Sequence, residues 1–167
     1  PQGELHGDKS IAVIVRDHQA KLLKYIRRRI VSRQDAEDVA AQTMCEFLES
    51  CRRRPEIRHY VPLLFTIARY RVTDYFATHA DRHREVPLDA VPEVPALGSL
   101  QHDTEAQMEL TGVHRALEAM REEDREIITL HAIAGLTSVE IAEIVGTSSG
   151  AVRVRLFQAR RKLKRKL

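Results

Sequence analysis

The chain has 167 residues, 43% of them hydrophobic and 31% charged, which supports a folded core and excludes a wholly disordered protein. No apolar run approaches the roughly 18 residues of a membrane span, and residues 1–10 lack the apolar core of a signal peptide. The net charge is only +3, but residues 1–86 carry +4, residues 87–112 carry −5 and residues 113–167 carry +4. Segregation of this kind favours binding to a polyanion.

Hydrophobic periodicity predicts an all-α protein, because no segment alternates convincingly at period two. Residues 1–9 are expected to be an N-terminal tail. Three helical stripes follow, over 11–26, 36–51 and 61–76, and a fourth begins at Val113.

The two cysteines, Cys45 and Cys51, are too few for a disulfide framework, and their spacing of six in one helical pattern suits a bridge poorly. Reduced thiols of a cytosolic protein are the expected state. The sequence does not decide whether either thiol senses redox state.

The second helical stripe, within 34–51, has an acidic polar face, since the segment carries five acids and no base. Acids in its first turn suit the helix dipole. A capped helix with a solvated acidic surface would explain the pattern. Because a cluster of acids does not contribute to DNA binding, the pattern also predicts a protein partner with a basic surface. The residues that share this face are Asp35, Asp38, Gln42, Glu46 and Glu49.

Residues 52–60, RRRPEIRHY, are expected to form a basic, Pro-broken loop. Its basic side chains are Arg52, Arg53, Arg54, Arg58 and His59. The following helix, with Pro62 in its first turn, should direct Arg69, Tyr70 and Thr73 away from its apolar stripe. An outward Tyr beside Arg can stack on bases, although a Tyr packed on surface neighbours is the alternative. Loop and helix together predict a face for single-stranded nucleic acid.

Three prolines and Gly98 fall within the stretch VPLDAVPEVPALGS, which has no sustained helical period. It predicts an extended linker between two bodies. The expected architecture is two small helical bundles joined by a flexible linker. The parts are the tail over 1–9, a helical domain over 10–86, an acidic linker over 87–108 and a second domain over 109–167.

The segment 137–166 predicts a helix-turn-helix. Thr137 or Ser138 can cap a short helix that Gly146 ends in a left-handed turn. The basic helix that follows should bury Val152 and Leu156 in its apolar stripe. The last 18 residues hold eight basic side chains and no acid, so DNA binding is favoured over a solvated terminal helix. The expected DNA contacts are Ser148, Ser149, Arg153, Val154, Phe157, Gln158 and Arg161.

The order of these motifs resembles bacterial RNA polymerase sigma factors of the extracytoplasmic-function (ECF) group, in the sigma-70 family. The resemblance covers roughly residues 10–85 and 110–167. The matching segments are DAED at 35–38, LLFTIAR at 63–69, REII at 125–128, GLTSVEIA at 135–142, GAVR at 150–153 and ARRKL at 159–163. Leu63, Tyr70, Val154 and Gln158 replace residues commoner in the family, which leaves the promoter sequence open.

The resemblance implies a function in initiating transcription without catalytic chemistry, metal or cofactor. The acidic helix over 35–50 would dock on the coiled coil of the polymerase clamp. The loop over 50–60 and the helix with Arg69 and Tyr70 would recognise the −10 element, capture a flipped base and help melt the duplex. The second domain would contact the flap and read the −35 element. Core polymerase, promoter DNA and an anti-sigma factor are the implied partners, in the bacterial cytoplasm, with no membrane insertion.

Three other classes of protein compete with this function. A helix-turn-helix regulator acting without polymerase would account for the second domain but not for the acidic face. An enzyme lacks support, because the sequence has no nucleophile elbow, phosphate-binding glycine loop or HExxH motif. His79 and His83 flank an acid, a pattern commoner on solvated surfaces than at metals. A helical adaptor that binds only protein is the third class.

Overall fold

The structure is a computed structural model that describes residues 2–79 and 112–166, and within these ranges it contains helices and no strand. The all-α expectation is therefore confirmed, and the linker predicted over 87–108 lies outside the described residues. We call α1–α3 the first body and α4–α7 the second body. The helices are α1 (Gln2–Arg27), α2 (Arg33–Arg53), α3 (Tyr60–Thr78), α4 (112–118), α5 (Glu122–Ala132), α6 (Ser138–Val145) and α7 (Ser149–Lys166).

The first body is a three-helix bundle whose core follows the predicted stripes. Tyr25 of α1 is fully buried and meets the ring of Phe65 of α3 edge-on, with centroids 5.6 Å apart. Phe47 is the large buried side chain that α2 contributes. The side chain of Ser32 caps α2 by accepting from the Asp35 amide at 3.3 Å. Aromatic burial of this kind supplies much of the stabilisation of a small core.

Two boundaries differ from the sequence expectation. Helix α1 begins at Gln2, so the residues expected to form a tail continue a helix. Helix α2 runs to Arg53, so Arg52 and Arg53 lie in its last turn and the loop covers only 54–59. Arginine is a good helix former, and cations are favourable at a helix C-terminus, so the helix ends only next to Pro55.

The second body contains the predicted helix-turn-helix, α6 and α7. Thr137 accepts from the Glu140 amide at 3.2 Å, while the Glu140 carboxylate accepts from the Thr137 amide at 3.0 Å, which completes a capping box. Gly146 ends α6 at φ 74°, ψ 40°, in the left-handed region that glycine adopts without strain. Helix α7 buries Val152 and Leu156, as predicted.

The two bodies pack directly on each other as well as being joined in sequence. Helix α3 contacts α6, and buried apolar residues of both bodies form one continuous cluster. Among the helices of residues 2–79 and 112–166, none is both long and apolar enough to cross a bilayer. The contact between the bodies includes His59 and Arg69, two residues that the sequence predicts to bind DNA.

Candidate promoter and polymerase interfaces

The outer face of α7 presents the side chains predicted to read the −35 element. Arg153, Val154, Phe157 and Gln158 are exposed, and the side chains of Val154 and Phe157 are unusually so for apolar groups, at 56% and 63%. The guanidinium of Arg161 lies 5.8 Å from the centroid of the Phe157 ring, in cation–π range. This face can offer apolar contact to a thymine methyl and a bidentate donor to guanine.

The start of α7 is organised by Ser148. Its hydroxyl oxygen accepts from the Ala151 amide at 3.2 Å, so Ser148 is the residue that caps the helix. The hydroxyl proton remains available to donate to a phosphate. Ser149 begins the helix and is half-buried. The positive end of the helix dipole therefore lies where a phosphate can approach.

Several basic residues of α7 hold the second body together. Arg155 pairs with Glu123 of α5 at 3.3 Å, and Lys162 pairs with Asp124 at 3.5 Å. Arg160 donates to the His131 ring at 2.7 Å. These contacts hold α7 on α5, so only some of the basic side chains of α7 are available to bind DNA.

The outward face of α3 contains the aromatic and polar groups expected at the −10 element. The Tyr70 side chain is 66% exposed, and Thr73 next to it is exposed. The Thr73 hydroxyl donates to the Arg69 carbonyl at 3.0 Å, which directs the threonine along the helix. Arg69 is only half-buried and turns toward the second body. The predicted outward projection is confirmed for Tyr70 and Thr73, whereas Arg69 contacts the second body.

The basic residues before α3 differ in how they are engaged. Arg52 and Arg54 are exposed. Arg53 pairs with Glu49 one helical turn earlier at 2.6 Å, and Arg58 donates to the Pro55 carbonyl at 3.1 Å, shaping the loop. A cluster of exposed cations thus precedes α3 in the chain, and internal contacts hold some of its side chains in place.

Two of the predicted −10 residues reach across to the second body. His59 donates through Nδ1 to Glu143 of α6, 2.7 and 2.8 Å from its two carboxylate oxygens. Arg69 donates to the Ile144 carbonyl at 3.2 Å, and its Nε lies 3.9 Å from Glu126 of α5. The sequence did not predict this convergence.

Glu126 is the centre of the contact between the bodies. Its side chain is 5% exposed, accepts a hydrogen bond from the Tyr25 hydroxyl and lies 3.5 Å from Arg29 of α1. Burial raises the pKa of Tyr25 far above its usual range, and the Glu126 carboxylate raises it further, so the phenol keeps its proton and donates. The sequence contains one sign that this carboxylate is buried. Glu126 lies one helical turn before the apolar Leu130, so the two residues share the buried face of α5.

The acidic face of α2 is less uniform than its sequence suggests. Asp35 accepts from the Tyr75 hydroxyl of α3 at 2.7 Å, and Glu46 pairs with Arg71 at 2.7 Å, so both help to fix α2 on α3. Glu49 pairs with Arg53. Within the described parts of the chain, the exposed side chains of Asp38 and Gln42 have no hydrogen-bond or ion-pair partner. These two residues and Glu49 are the part of the face presented outward.

The histidine pair considered as a metal site falls at the edge of the described residues. His79 donates through Nδ1 to the Tyr75 carbonyl at 2.8 Å, and position 83 lies outside. Over 2–79 and 112–166, no group of three or more His, Cys, Asp and Glu side chains could hold a metal ion.

Comparison with known proteins gives a family. A family model for sigma-70 region 4 matches residues 110–163, which include α4, α5, α6 and most of α7. The ECF RNA polymerase sigma factor SigD of Mycobacterium tuberculosis is 32% identical over 150 residues, spanning 86% of this chain and 70% of SigD. The chain belongs to the ECF RNA polymerase sigma factors. A further relative is the ECF sigma factor ShbA of Streptomyces griseus, 30% identical over 153 residues, 85% of this chain and 79% of ShbA.

Solved structures share the fold of this ECF sigma factor. CnrH, in complex with the cytosolic domain of CnrY, superposes with a TM-score of 0.61 at 23% identity, covering 98% of this chain and 90% of CnrH. RpoE of Bartonella quintana, in complex with the anti-sigma factor NepR, gives 0.58 at 22% identity, covering 95% and 96%. The likeness extends over nearly the full length of the chain and so includes both bodies.

Proposed function

We propose that this ECF sigma factor binds core RNA polymerase through the outward part of the α2 face and reads its promoter with two separate surfaces. The loop 54–59 and α3 take the −10 element, and α7 takes the −35 element. The observation that carries the proposal is the 32% identity to an ECF sigma factor along 86% of the chain, together with exposed cations and aromatic groups in both bodies.

At the −35 element, phosphate contacts would position α7 and a few side chains would read bases. Arg153 is the candidate for bidentate recognition of guanine, since it is exposed near the start of the helix. Val154 and Phe157 offer apolar surface for thymine methyl groups. The Arg161 guanidinium over the Phe157 ring would hold that ring in place while remaining close to the backbone phosphates.

At the −10 element, Tyr70 would stack on an exposed base while Arg52, Arg54 and Arg69 neutralise phosphates. Stacking contributes about 1–3 kcal/mol per base. Opening a duplex costs a few kcal/mol per unstacked step, so two or three captured bases offset only part of the cost. Polymerase contacts would supply the remainder, which is the physical reason for the chain to act as a polymerase subunit.

The acidic face would select a basic surface on the polymerase. The side chains of Asp38 and Gln42 are exposed and have no hydrogen-bond or ion-pair partner among the described residues. Glu49 forms an exposed ion pair with Arg53. An exposed ion pair of this type is worth about 1 kcal/mol or less, so Glu49 can exchange its partner at small cost. Asp35 and Glu46 would act indirectly, by holding α2 on α3.

An anti-sigma factor is a further proposed partner. The structure of RpoE that shares this fold contains the anti-sigma factor NepR. This chain presents surfaces of both charge signs that such a partner could cover. No catalytic role is assigned to any residue, and we propose that the chain acts by binding alone. A helix-turn-helix regulator independent of polymerase is not favoured, because the relatives match the first body as well as the second.

The core-docking assignment is tested by reversing two charges on the outward α2 face. Asp38→Arg combined with Glu49→Arg should weaken binding to purified core polymerase, because each cation would face the basic docking surface. The matched control, Asp17→Arg with Glu37→Arg, makes the same change in charge at exposed positions off that face. Core binding by the first double variant that equals the control in a pull-down titration would refute the assignment.

A further inference from the structure

We propose that Gly150 is the point at which the backbone of α7 comes closest to the base edges of the −35 element. The inference rests on the proposed function for the placement of α7 in the major groove. It gives a positioning role to a residue that has no side chain of its own to contact DNA.

Gly150 lies on the face of α7 that carries the exposed apolar side chains. At about 3.6 residues per turn, Gly150, Val154, Phe157 and Arg161 fall within a sector of roughly 60°. The other three residues of this sector are exposed. Gly150 is the member nearest the start of α7, and the N-terminal part of a recognition helix is the part that meets base edges.

The fold does not account for a glycine at this position. Gly146 has a positive φ, whereas Gly150 does not, so any residue could adopt the backbone conformation at position 150. Space does not require a glycine either. A Cβ at Gly150 would meet only the Nη2 atom of Arg153, at 4.0 Å, which is ordinary van der Waals contact with the far end of a flexible side chain. Because glycine within a helix is less favourable than alanine, Gly150 lowers stability without serving the packing.

The dimensions of the major groove supply a reason for the glycine. The groove is about 12 Å wide and an α-helix with its side chains is about 10–12 Å across, so the fit leaves little room. A methyl group at position 150 would extend about 1.5 Å from Cα, the length of a C–C bond. Hydrogen bonds to base edges span only about 2.7–3.2 Å, so a shift of that size would take Arg153 out of reach of a guanine.

The test compares Gly150→Ala with Ala20→Gly, a matched control that makes the reverse change at an exposed position within α1. Each full-length variant is assembled with core polymerase. One probe is a fluorescein-labelled duplex that the wild-type holoenzyme enriches from a pool of randomised, promoter-length duplexes, and the other is an unselected duplex from the same pool. Fluorescence anisotropy measures the dissociation constants, and thermal melts of the full-length chains measure stability.

We expect Gly150→Ala to raise the melting temperature by about 1–4 °C and to weaken binding to the enriched duplex at least about fivefold. Its binding to the unselected duplex should not change, since phosphate contacts carry no sequence information. Ala20→Gly should lower the melting temperature by a similar amount and bind both duplexes as the wild type does. Opposite changes in stability and −35 affinity would thus separate a role in DNA contact from a role in the fold.

Unchanged affinity of Gly150→Ala for the enriched duplex, or a lower melting temperature, would overturn the inference. Equal weakening on both duplexes would also overturn it, because the close approach would then be to the phosphate backbone that every duplex shares. Failure of the wild-type holoenzyme to enrich any duplex would instead overturn the proposed function, while the melts would still decide whether the fold needs the glycine.

Discussion

Replacing Tyr25 with phenylalanine removes one hydroxyl from the contact between the two bodies and leaves the packing intact. The Tyr25 ring is fully buried against Phe65, and phenylalanine keeps that edge-on contact. The lost interaction is a hydrogen bond to the buried Glu126 carboxylate, and bonds to charged groups contribute about 1.5–3 kcal/mol. The Glu126 carboxylate would still have Arg29 at 3.5 Å as a partner, so it would not be left wholly unpaired. We therefore expect the free energy of unfolding to fall by about 2 kcal/mol, within that range.

Urea denaturation of the full chain, followed by circular dichroism, measures the loss. Tyr75→Phe is the matched control, since its hydroxyl donates at 2.7 Å to Asp35 at a half-buried site within the first body. The control should lose less, about 1 kcal/mol, because water can replace the lost hydroxyl at this half-buried carboxylate. A Tyr25→Phe loss below about 0.5 kcal/mol, the range of ordinary surface substitutions, would refute the buried interdomain bond.

Three further changes test separate parts of the structure. Arg153→Ala should weaken binding of the holoenzyme to −35 DNA by about 1–3 kcal/mol and relax specificity at one base pair, measured by competition with single-base promoter variants. Gly146→Ala should lower the free energy of unfolding by about 1–2 kcal/mol, because φ is 74° while nothing lies within 4 Å of an added Cβ; thermal melts measure this strain. Alkylation followed by mass spectrometry should modify exposed Cys45 before Cys51, because burial both shields the Cys51 thiol and raises its pKa.

Local features of the fold could be predicted from the sequence because they depend on neighbouring residues. The stripe of Val152 and Leu156, the turn at Gly146 and the cap at Thr137 follow from helical spacing and from the chemistry of helix ends. The outward direction of Tyr70 and Phe157 was predicted for the same reason. The end of α2 was missed because a run of arginines before Pro55 fits either a loop or a last helical turn.

The contact between the bodies could not be predicted in the same way. Tyr25 and Glu126 are 101 positions apart, and periodicity assigns each to a buried side without indicating a partner. The same holds for the acidic face of α2. Helical projection placed Asp35 and Asp38 on one face, but it could not show that the Tyr75 hydroxyl of α3 donates to Asp35. Pairings between distant helices depend on packing of the whole chain, which a single sequence does not encode in a readable pattern.

Transcription in vitro with purified core polymerase on a promoter library tests the central claim most directly. We expect RNA synthesis to start at a defined set of sites only when this chain is added, with selected sequences near −10 and −35. The Asp38→Arg, Glu49→Arg variant should reduce that synthesis, and the Asp17→Arg, Glu37→Arg control should support it. Absence of any transcript that depends on the wild-type chain, with no binding to core polymerase, would contradict the assignment as a sigma factor.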